Sequence, residues 1–434
     1  MQHPILDNKI SQATSKISNA WHSDPRWYGI ERSYTPENVV RLQGSVVIEH
    51  TLARLGAERL WHSLNSEVYL NASGSTMGDQ AVQMVQAGLK AIYCSGEKVT
   101  GNASFAGQTY TDQSLHSAAT VPEMVRRINN ALMREDEKRH AAGDNDTYWY
   151  APIVADAGAG FDGNLSAFEI MKTMIEAGAA GVHFEDELSS AKKHIPCGGK
   201  VLVPTCEFTH RLLAARLAAD TLGVSTILIA RTAADSTPFI TSDIDPVDHP
   251  FLTGQRIPEG LFLVKCGLEA AIARGIAYSP YVDLLWFETS EPNLHRARKF
   301  ADKIHERFPA KVLAYNCSLS LSWESQFDRG SIERFQRELG AMGYKLQFFT
   351  PAEFHVPNES TIEVAKDYAK PEMPAFVRDE KREFELILDR YAADKHPTFV
   401  GRGCFDGVQR VIGSGTASTT AKDGLTEVAK CFQN

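Results

Sequence analysis

Residues 152–185 read PIVADAGAGFDGNLSAFEIMKTMIEAGAAGVHFE, and this stretch predicts the fold of the whole chain. Two short apolar runs, 152–156 and 180–185, each end in an acidic residue. Between them, residues 167–177 are apolar at the spacing of a helix. Short apolar runs separated by such a stretch are typical of a βαβ unit, in which two parallel strands are joined by a helix.

The same alternation continues on both sides of this unit. Six more short apolar runs are predicted to be strands: 67–73, 91–96, 226–231, 283–288, 311–316 and 344–350. Further stretches of helical period are 81–90, 208–222, 263–274, 294–308 and 332–342. Eight strands alternating with helices predict an α/β fold, a (β/α)8 TIM-type barrel with additional N- and C-terminal helices. We place the barrel at 65–355, between a helical segment 1–64 and a second helical segment 356–434.

Composition excludes several classes of function. The formal net charge of the 434 residues is −9, and Lys and Arg form no cluster that would bind nucleic acid. No apolar run reaches the roughly 18–20 residues of a membrane span, and no secretory signal is visible at the start. The seven cysteines are scattered without a CxxC pair, which favours reduced thiols in a cytoplasmic protein.

Polar residues stand at the ends of the predicted strands, and in a barrel these ends meet at one mouth. Asp156 and Glu185 end two of the strands, and Asp112 lies in the loop YTDQSL. Carboxylates from separate loops suit Mg²⁺, which binds through one or two of them and keeps several waters. Each acid taken alone could instead cap a helix or pair with a base.

A second group of polar residues could bind an anionic substrate. Arg231 offers a guanidinium fork, and backbone N–H groups at Ser95 and Gly96 could approach an oxygen. Hydroxyl and amide donors follow two later strands at Asn316, Ser318, Ser320 and Thr350. A Ser or Thr after a strand is often only the N-cap of the next helix. Their joint occurrence favours a pocket for an acid with more than one carboxylate.

Several motifs resemble those of the isocitrate lyase family, within the isocitrate lyase/phosphoenolpyruvate mutase superfamily. The motifs are RWYGIERSYTPENVVRLQGSV (26–46), YTDQSL (110–115), GVHFED (181–186), GGKVLVP (198–204), LIART (228–232), LLWFETS (284–290) and LAYNCS (313–318). They extend over nearly the whole chain.

The resemblance implies a Mg²⁺-dependent lyase that cleaves the 2,3 carbon–carbon bond of a 2-hydroxy tricarboxylate to glyoxylate and a dicarboxylate. It also implies a homotetramer whose C-terminal helices are exchanged between subunits. Asp112, Asp156 and Glu185 match positions that hold the metal or its waters. The positions assigned to substrate or product binding are Tyr93, Ser95, Gly96, Arg231, Glu288, Asn316, Ser318, Ser320 and Thr350. Arg231 and Glu288 are also taken as catalytic.

The sequence departs from the family in the catalytic loop, which normally reads KKCGH. Here residues 192–197 read KKHIPC, so that His194 stands at the position of the catalytic thiol and Pro196 at that of the family's histidine. His194 is the candidate replacement for the proton donor, because a histidine titrates near neutral pH. Cys197 is the alternative catalytic residue.

Other departures concern the same predicted mouth. Glu97 replaces the aromatic residue of SGW, Gly158 replaces an acid in DAEAGFGG, Ala233 replaces the acid of RTDA, and Pro351 follows Thr350 where leucine is expected. Either the site acts on another 2-hydroxy or 2-keto acid, or catalysis is lost and a dicarboxylate is only bound. A hydrolase or mutase acting on an oxaloacetate-like acid is a third alternative. We favour a retro-aldol lyase that is slow on isocitrate, because the predicted carboxylate-binding residues remain.

Overall fold

The computed structural model describes residues 4–103, 115, 117–191, 199–289, 291–318, 323, 327–350, 352–369 and 402–414. The chain divides into two compact units. The first consists of Met1–Thr76, Lys90–Arg126 and Pro152–Glu353. The second consists of Met77–Leu89, Arg127–Ala151 and Phe354–Asn434. The predicted segments 1–64, 65–355 and 356–434 stay predictions.

The elements follow one another in the predicted alternation. Before the barrel lie α1 (Pro4–Ser23), α2 (Pro36–Leu42) and α3 (Thr51–Ser66). The first half of the barrel contains β1 (Leu70–Gly74), α4 (Gly78–Gln86), β2 (Ala91–Cys94), α5 (Gly96–Ala103), α6 (Thr120–Ala141), β3 (Ile153–Asp156), α7 (Asn164–Glu176), β4 (Gly181–Glu185) and α8 (Thr205–Leu222). The second half begins with β5 (Ile227–Thr232), β6 (Phe239–Ile240), β7 (Leu252–Arg256), β8 (Phe262–Val264) and α9 (Leu268–Tyr278). It continues with β9 (Leu284–Phe287), α10 (Leu294–His305), β10 (Val312–Asn316), α11 (Arg329–Ala341) and β11 (Tyr344–Phe349), and α12 (Ala352–Tyr368) and α13 (Arg402–Ile412) follow.

Eight parallel strands close into a barrel in the order β1-β11-β10-β9-β5-β4-β3-β2. Each of the eight predicted runs overlaps one of them, and β1 and β5 extend one residue beyond their runs, so the predicted (β/α)8 fold is confirmed. The register places Asp156 beside His183 and Glu185 beside Arg231. The carboxyl ends of β3, β4 and β5 therefore bring these side chains to the same mouth.

A small antiparallel sheet, in the order β6-β8-β7, was not predicted. The helix predicted at 263–274 is wrong in its first part, because Leu263 lies in β8 and α9 begins at Leu268. The residue before α9 is Gly267 at φ 135°, a backbone conformation that cannot continue a helix. A short apolar run such as 261–264 does not distinguish a strand from a helix by its spacing.

The barrel interior is filled with apolar side chains, and α3 packs against its amino-terminal end. Trp286 and Phe348 stack inside the barrel with their ring centres 4.4 Å apart. Leu60 and Leu64 of α3 belong to the same buried cluster. A β-carbon at Gly56 would approach Cβ of Ala180 to 3.0 Å, so glycine allows the close approach of this helix. The core therefore extends from α3 at one end of the barrel to Trp286, whose ring lies next to His183.

A buried ion pair joins the N-terminal segment to the barrel. The carboxylate of Asp283, at the start of β9, accepts hydrogen bonds from Arg26 and, at 2.7 Å, from Arg216. The guanidinium of Arg26 lies 4.0 Å from the centre of the Trp61 ring. Burial alone would raise the pKa of Asp283, but the charges of Arg216 and Arg26 hold this pKa well below its ordinary value. Asp283 is therefore ionised and fully enclosed by its partners.

Among the described residues, no helix has the length and apolar character that crossing a membrane requires. The predicted helix-like stretch after residue 362 begins inside α12, and residues 370–400 lie outside the described part of the chain. Exchange of the C-terminal segment between subunits stays a prediction.

Candidate active site

Two carboxylates and a histidine form a compact cluster at the ends of β3 and β4. Asp156, His183 and Glu185 are buried, and one ligand atom from each lies within 4.8 Å of the others. The Asp156 carboxylate accepts hydrogen bonds from the backbone N–H of Gly158 at 2.7 Å and of Gly96 at 2.9 Å. These two bonds fix the carboxylate, and each of its oxygens keeps further acceptor capacity for a cation.

The donor set of this cluster fits a small divalent cation. Asp156 and Glu185 offer the hard oxygen ligands that Mg²⁺ prefers, and their enclosure strengthens the attraction for a cation. Both residues were predicted as metal ligands from the sequence. The third predicted ligand, Asp112, lies outside the described residues.

His183 is a member of the cluster that the sequence analysis missed. Its Nε2 lies 3.0 Å from the hydroxyl of Tyr93, and its ring lies edge-on to Trp286 with ring centres 4.9 Å apart. The signal was present, because residues 183 and 185 are two apart on one strand and therefore point to the same face. Reading the run GVHFE as an apolar strand concealed this polar position.

Arg231 lies between carboxylates of neighbouring strands. Its guanidinium forms ion pairs with Glu185 and, at 2.8 Å, with Glu288. Lys200 pairs with Glu288 at 2.6 Å and with Glu187 at 3.2 Å. Burial would raise the pKa of Glu288, but Arg231 and Lys200 lower it to about 2. Glu288 is thus a permanent carboxylate that orients Arg231.

The remaining predicted substrate residues fall in two places. Ser95 and Gly96 follow β2. A β-carbon placed on Gly96 would lie 2.9 Å from Oδ2 of Asp156, so a side chain at this position would crowd the Asp156 carboxylate. Across the mouth, the Thr350 hydroxyl donates to Asn316 Oδ1 at 2.8 Å. Ser318 is buried after β10. His194, Cys197 and Ser320 lie outside the described residues.

Glu97 and Gly158, two positions at which the sequence departs from the family, both lie in described parts of the site. Glu97, in the first turn of α5, forms an ion pair with Lys98, and both side chains are largely buried. Gly158 adopts φ 55°, a left-handed conformation that favours glycine. A further acid near this mouth, Glu353, follows the last strand and was not singled out from the sequence.

Fold and site together define a (β/α)8-barrel protein whose mouth can hold a divalent cation beside an arginine suited to carboxylates. The isocitrate lyase family matches residues 14–259 and 255–429. Isocitrate lyase of Halalkalibacterium halodurans is 54% identical over 419 residues, which cover 96% of this chain and 98% of the relative. Isocitrate lyase 1 of Mycobacterium tuberculosis is 48% identical over 417 residues, covering 96% and 97%. The chain belongs to the isocitrate lyase family, and the predicted resemblance is confirmed.

Solved structures share the fold at low sequence identity. The 2,3-dimethylmalate lyase structure, from the same superfamily, has a TM-score of 0.58 at 18% identity, covering 84% of this chain and 98% of that chain. A structure of oxaloacetate acetylhydrolase with 3,3-difluorooxalacetate has a TM-score of 0.55 at 19% identity, with coverage of 84% and 98%. Membership of the family supports a metal-dependent carbon–carbon lyase acting on a small carboxylic acid.

Proposed function

We propose that this protein is a Mg²⁺-dependent lyase that cleaves a 2-hydroxy di- or tricarboxylic acid by a retro-aldol step and is slow on isocitrate. The observation that carries the proposal is the buried cluster of Asp156, His183 and Glu185, which Arg231 joins to Glu288 at the barrel mouth. Carboxylates for a cation and a guanidinium for an anion lie side by side there. A carboxylic acid that binds through a metal ion needs carboxylates to hold the metal and a cationic side chain to hold the acid's own carboxylate.

Asp156 and Glu185 would hold the metal, together with Asp112 if the family resemblance extends to that loop. When bound, Mg²⁺ supplies positive charge that stabilises the anion developing on the substrate's 2-oxygen. The chain's own residues orient the substrate. Arg231, held by Glu288, binds a substrate carboxylate, and Ser95 approaches a second oxygen, while the N–H of Gly96 holds Asp156 in place.

The second product acid is assigned to the far side of the mouth. The amide of Asn316 and the hydroxyls of Ser318, Ser320 and Thr350 supply its hydrogen bonds, and the contact between Thr350 and Asn316 supports this grouping. Bond cleavage leaves a carbanion-like product that must take up a proton. Two residues of the loop are candidate donors, His194 first and Cys197 as the alternative, and both lie outside the described residues.

Calorimetric titration and a turnover assay together test the proposed function. Mg²⁺ is titrated first, followed by glyoxylate, pyruvate, succinate and oxalate, and a series of 2-hydroxy di- and tricarboxylic acids is then assayed for release of the oxo acid. Arg231→Ala is expected to lose acid binding and to retain Mg²⁺ binding. Acid binding by the unaltered protein without turnover of any 2-hydroxy acid would contradict the lyase proposal and favour a silent dicarboxylate binder.

Gly158 offers a test of the metal site. Gly158→Glu is expected to tighten Mg²⁺ binding, because it returns an anionic group to the region of Asp156. A side chain at φ 55° costs about 1–2 kcal/mol, so Gly158→Gln is the matched control with the same strain and no charge. Calorimetric titration with Mg²⁺ compares the two variants. Equal affinities would show that residue 158 does not face the metal.

We also propose a cytoplasmic homotetramer. The free thiols of Cys94, Cys206, Cys266 and Cys317 support a reducing compartment. Helix α13 exposes Val411 and Ile412 by 82% and 78%, and helices with such faces commonly bury them against another subunit.

Light scattering at micromolar concentration is expected to give the mass of a tetramer. Val411→Lys combined with Ile412→Lys is expected to reduce that mass, because charges cannot be buried in an apolar contact. The control is Leu165→Lys, which changes an equally exposed apolar side chain, 84% accessible, on α7. A stable monomer of the unaltered chain would overturn the assembly.

A further inference from the structure

Glu353, the second residue of α12, lies against the carboxyl end of β1. A β-carbon placed on Gly74 would overlap the carboxyl group of Glu353, so the two residues are in close contact and a larger residue at position 74 would displace this carboxyl group. The register of the barrel pairs Gly74 with Tyr93 of β2. The carboxyl group of Glu353 therefore lies at the same end of the barrel as the candidate active site.

The Glu353 side chain is enclosed without a hydrogen-bonding partner from another residue. The residue is only 3% exposed, and among the described residues its carboxyl group has no partner except the backbone N–H of Glu353 itself. Nearly all buried polar groups in proteins are hydrogen-bonded, and exceptions are often groups with a role in catalysis or ligand binding. A carboxyl group inside the mouth that no other described residue holds is thus available to a bound molecule.

The surroundings of Glu353 raise the pKa of its carboxyl group toward neutral pH. Burial is the main cause that raises the pKa of Glu353 to about 7. The hydrogen bond from its own backbone N–H and the charge of Lys98 oppose this rise, and the charge of Glu97 adds a small further rise. The charge of Glu353 in turn reaches Tyr93 and Cys94 of the neighbouring strand β2. The pKa values of a general acid or base lie in this range when the enzyme works near neutral pH.

Glu353 and Asp156 flank the same strand end. Burial is the main cause that raises the pKa of Tyr93 and that of Cys94, and the charges of Asp156 and Glu353 raise both further. The Tyr93 hydroxyl in turn lies at hydrogen-bond distance from His183. The substrate residues Ser95 and Gly96 come directly after this strand, with Asp156 on one side of them and Glu353 with Gly74 on the other. A substrate bound at Ser95 and Gly96 would lie next to the Glu353 carboxyl group.

We propose that Glu353, in place of the loop candidates His194 and Cys197, is a further catalytic residue, the acid that protonates the carbon released by bond cleavage. This inference rests on the proposed lyase function. In the retro-aldol step the bond between C2 and C3 breaks, its electron pair stays on C3, and the hydroxyl proton on C2 leaves to water. Glu353 in its acid form then gives its proton to C3 and becomes a carboxylate. Water returns a proton to this carboxylate before the next turnover, so one proton is released and one is taken up.

The first test measures protons taken up when an acid binds. Succinate and oxalate are titrated in the presence of Mg²⁺ at pH 7.5 in two buffers of different ionisation enthalpy. A bound dianion next to Glu353 raises the affinity of this group for a proton, so the unaltered protein is expected to take up part of a proton. Glu353→Gln is expected to bind the acid without this uptake. Glu359→Gln, an exposed change on the same helix, is the matched control and should behave as the unaltered protein.

The second test measures turnover of the 2-hydroxy acid that the protein cleaves. Glu353→Gln is expected to lower kcat by about 10²- to 10⁴-fold with a smaller change in KM, since a positioned proton donor contributes this much. The unaltered enzyme should lose kcat as the pH rises above about 7, because the acid form of Glu353 disappears, and Glu353→Gln should lack this limb. Glu353→Asp should recover part of the rate.

The outcomes separate this inference from the proposed function. Suppose the unaltered protein binds and cleaves an acid, and Glu353→Gln has the same kcat, pH profile and proton uptake as the unaltered protein. In that case the proposed role of Glu353 is wrong and the lyase proposal stands. If the unaltered protein binds none of the acids or cleaves none, the lyase proposal is wrong and the proton-donor role falls with it. Circular dichroism of Glu353→Gln distinguishes loss of catalysis from loss of the fold.

Discussion

Replacement of Asp283 by alanine is expected to lower the free energy of unfolding by about 3–5 kcal/mol, the usual effect of breaking a buried ion pair. Asp283 is the shared counter-ion of Arg26 and Arg216, and it also accepts a hydrogen bond from the backbone N–H of Leu228 at 2.7 Å. The substitution would leave two buried guanidinium groups without this carboxylate.

Urea-induced unfolding followed by circular dichroism measures the effect of Asp283→Ala. Asp302→Ala removes an exposed aspartate on α10 and is the control, with a change near zero. The pKa of Asp283 is lowered in the folded protein, so its stabilisation is present above the ordinary aspartate pKa of about 3.9 and is lost as the pH falls below it. An unfolding midpoint for Asp283→Ala equal to that of the control would show that Arg26 and Arg216 are satisfied without this carboxylate.

Cleavage of isocitrate is expected to be about 10²- to 10⁴-fold slower than that of a family member with the KKCGH loop, since a positioned proton donor contributes a factor of this size. The reason lies in residues 192–197, where neither the thiol nor the histidine of that loop stands at its usual position. Glyoxylate release from isocitrate, measured beside the H. halodurans relative, provides the comparison. Ordinary turnover by the unaltered chain would refute this prediction.

Restoring the loop separates the effect of the donor from other changes at the mouth. The triple variant His194→Cys, Ile195→Gly and Pro196→His is expected to raise the rate on isocitrate. His194→Ala is expected to abolish turnover of the natural substrate if this residue is the loop donor, and Cys197→Ala is its matched control with little effect. If Cys197→Ala abolishes turnover and His194→Ala does not, Cys197 is the donor. If neither substitution lowers turnover, the donor lies outside the loop.

The barrel was predictable because its strands are short apolar runs, and because each run ends in a polar residue that the mouth requires. Asp156, Glu185, Arg231 and Asn316 all lie at the strand ends where the sequence placed them. The small sheet of β6, β7 and β8 was not predictable, because strands of two to five residues leave too few positions to show an alternation.

The polar groups of the site were only partly predictable. His183 lies inside an apolar strand, where its partner Tyr93 comes from another strand and cannot be inferred from spacing. Glu353 differs from other acids of its helix through burial against Gly74, a contact between positions almost three hundred residues apart in sequence. The spacing of residues in a sequence predicts which face of a helix or strand a side chain lies on. It does not predict which residue, distant in sequence, that side chain contacts.

The ion pair between Arg26 and Asp283 also constrains how the chain can fold during synthesis. Asp283 follows Arg26 by 257 residues, and at about 5–20 residues per second the ribosome needs roughly 13–50 s to make that interval. For this time Arg26 cannot meet Asp283, the carboxylate that it pairs with in the folded chain. The contact between Arg26 and Asp283 can therefore form only after the first five barrel strands, β1 to β5, have been synthesised.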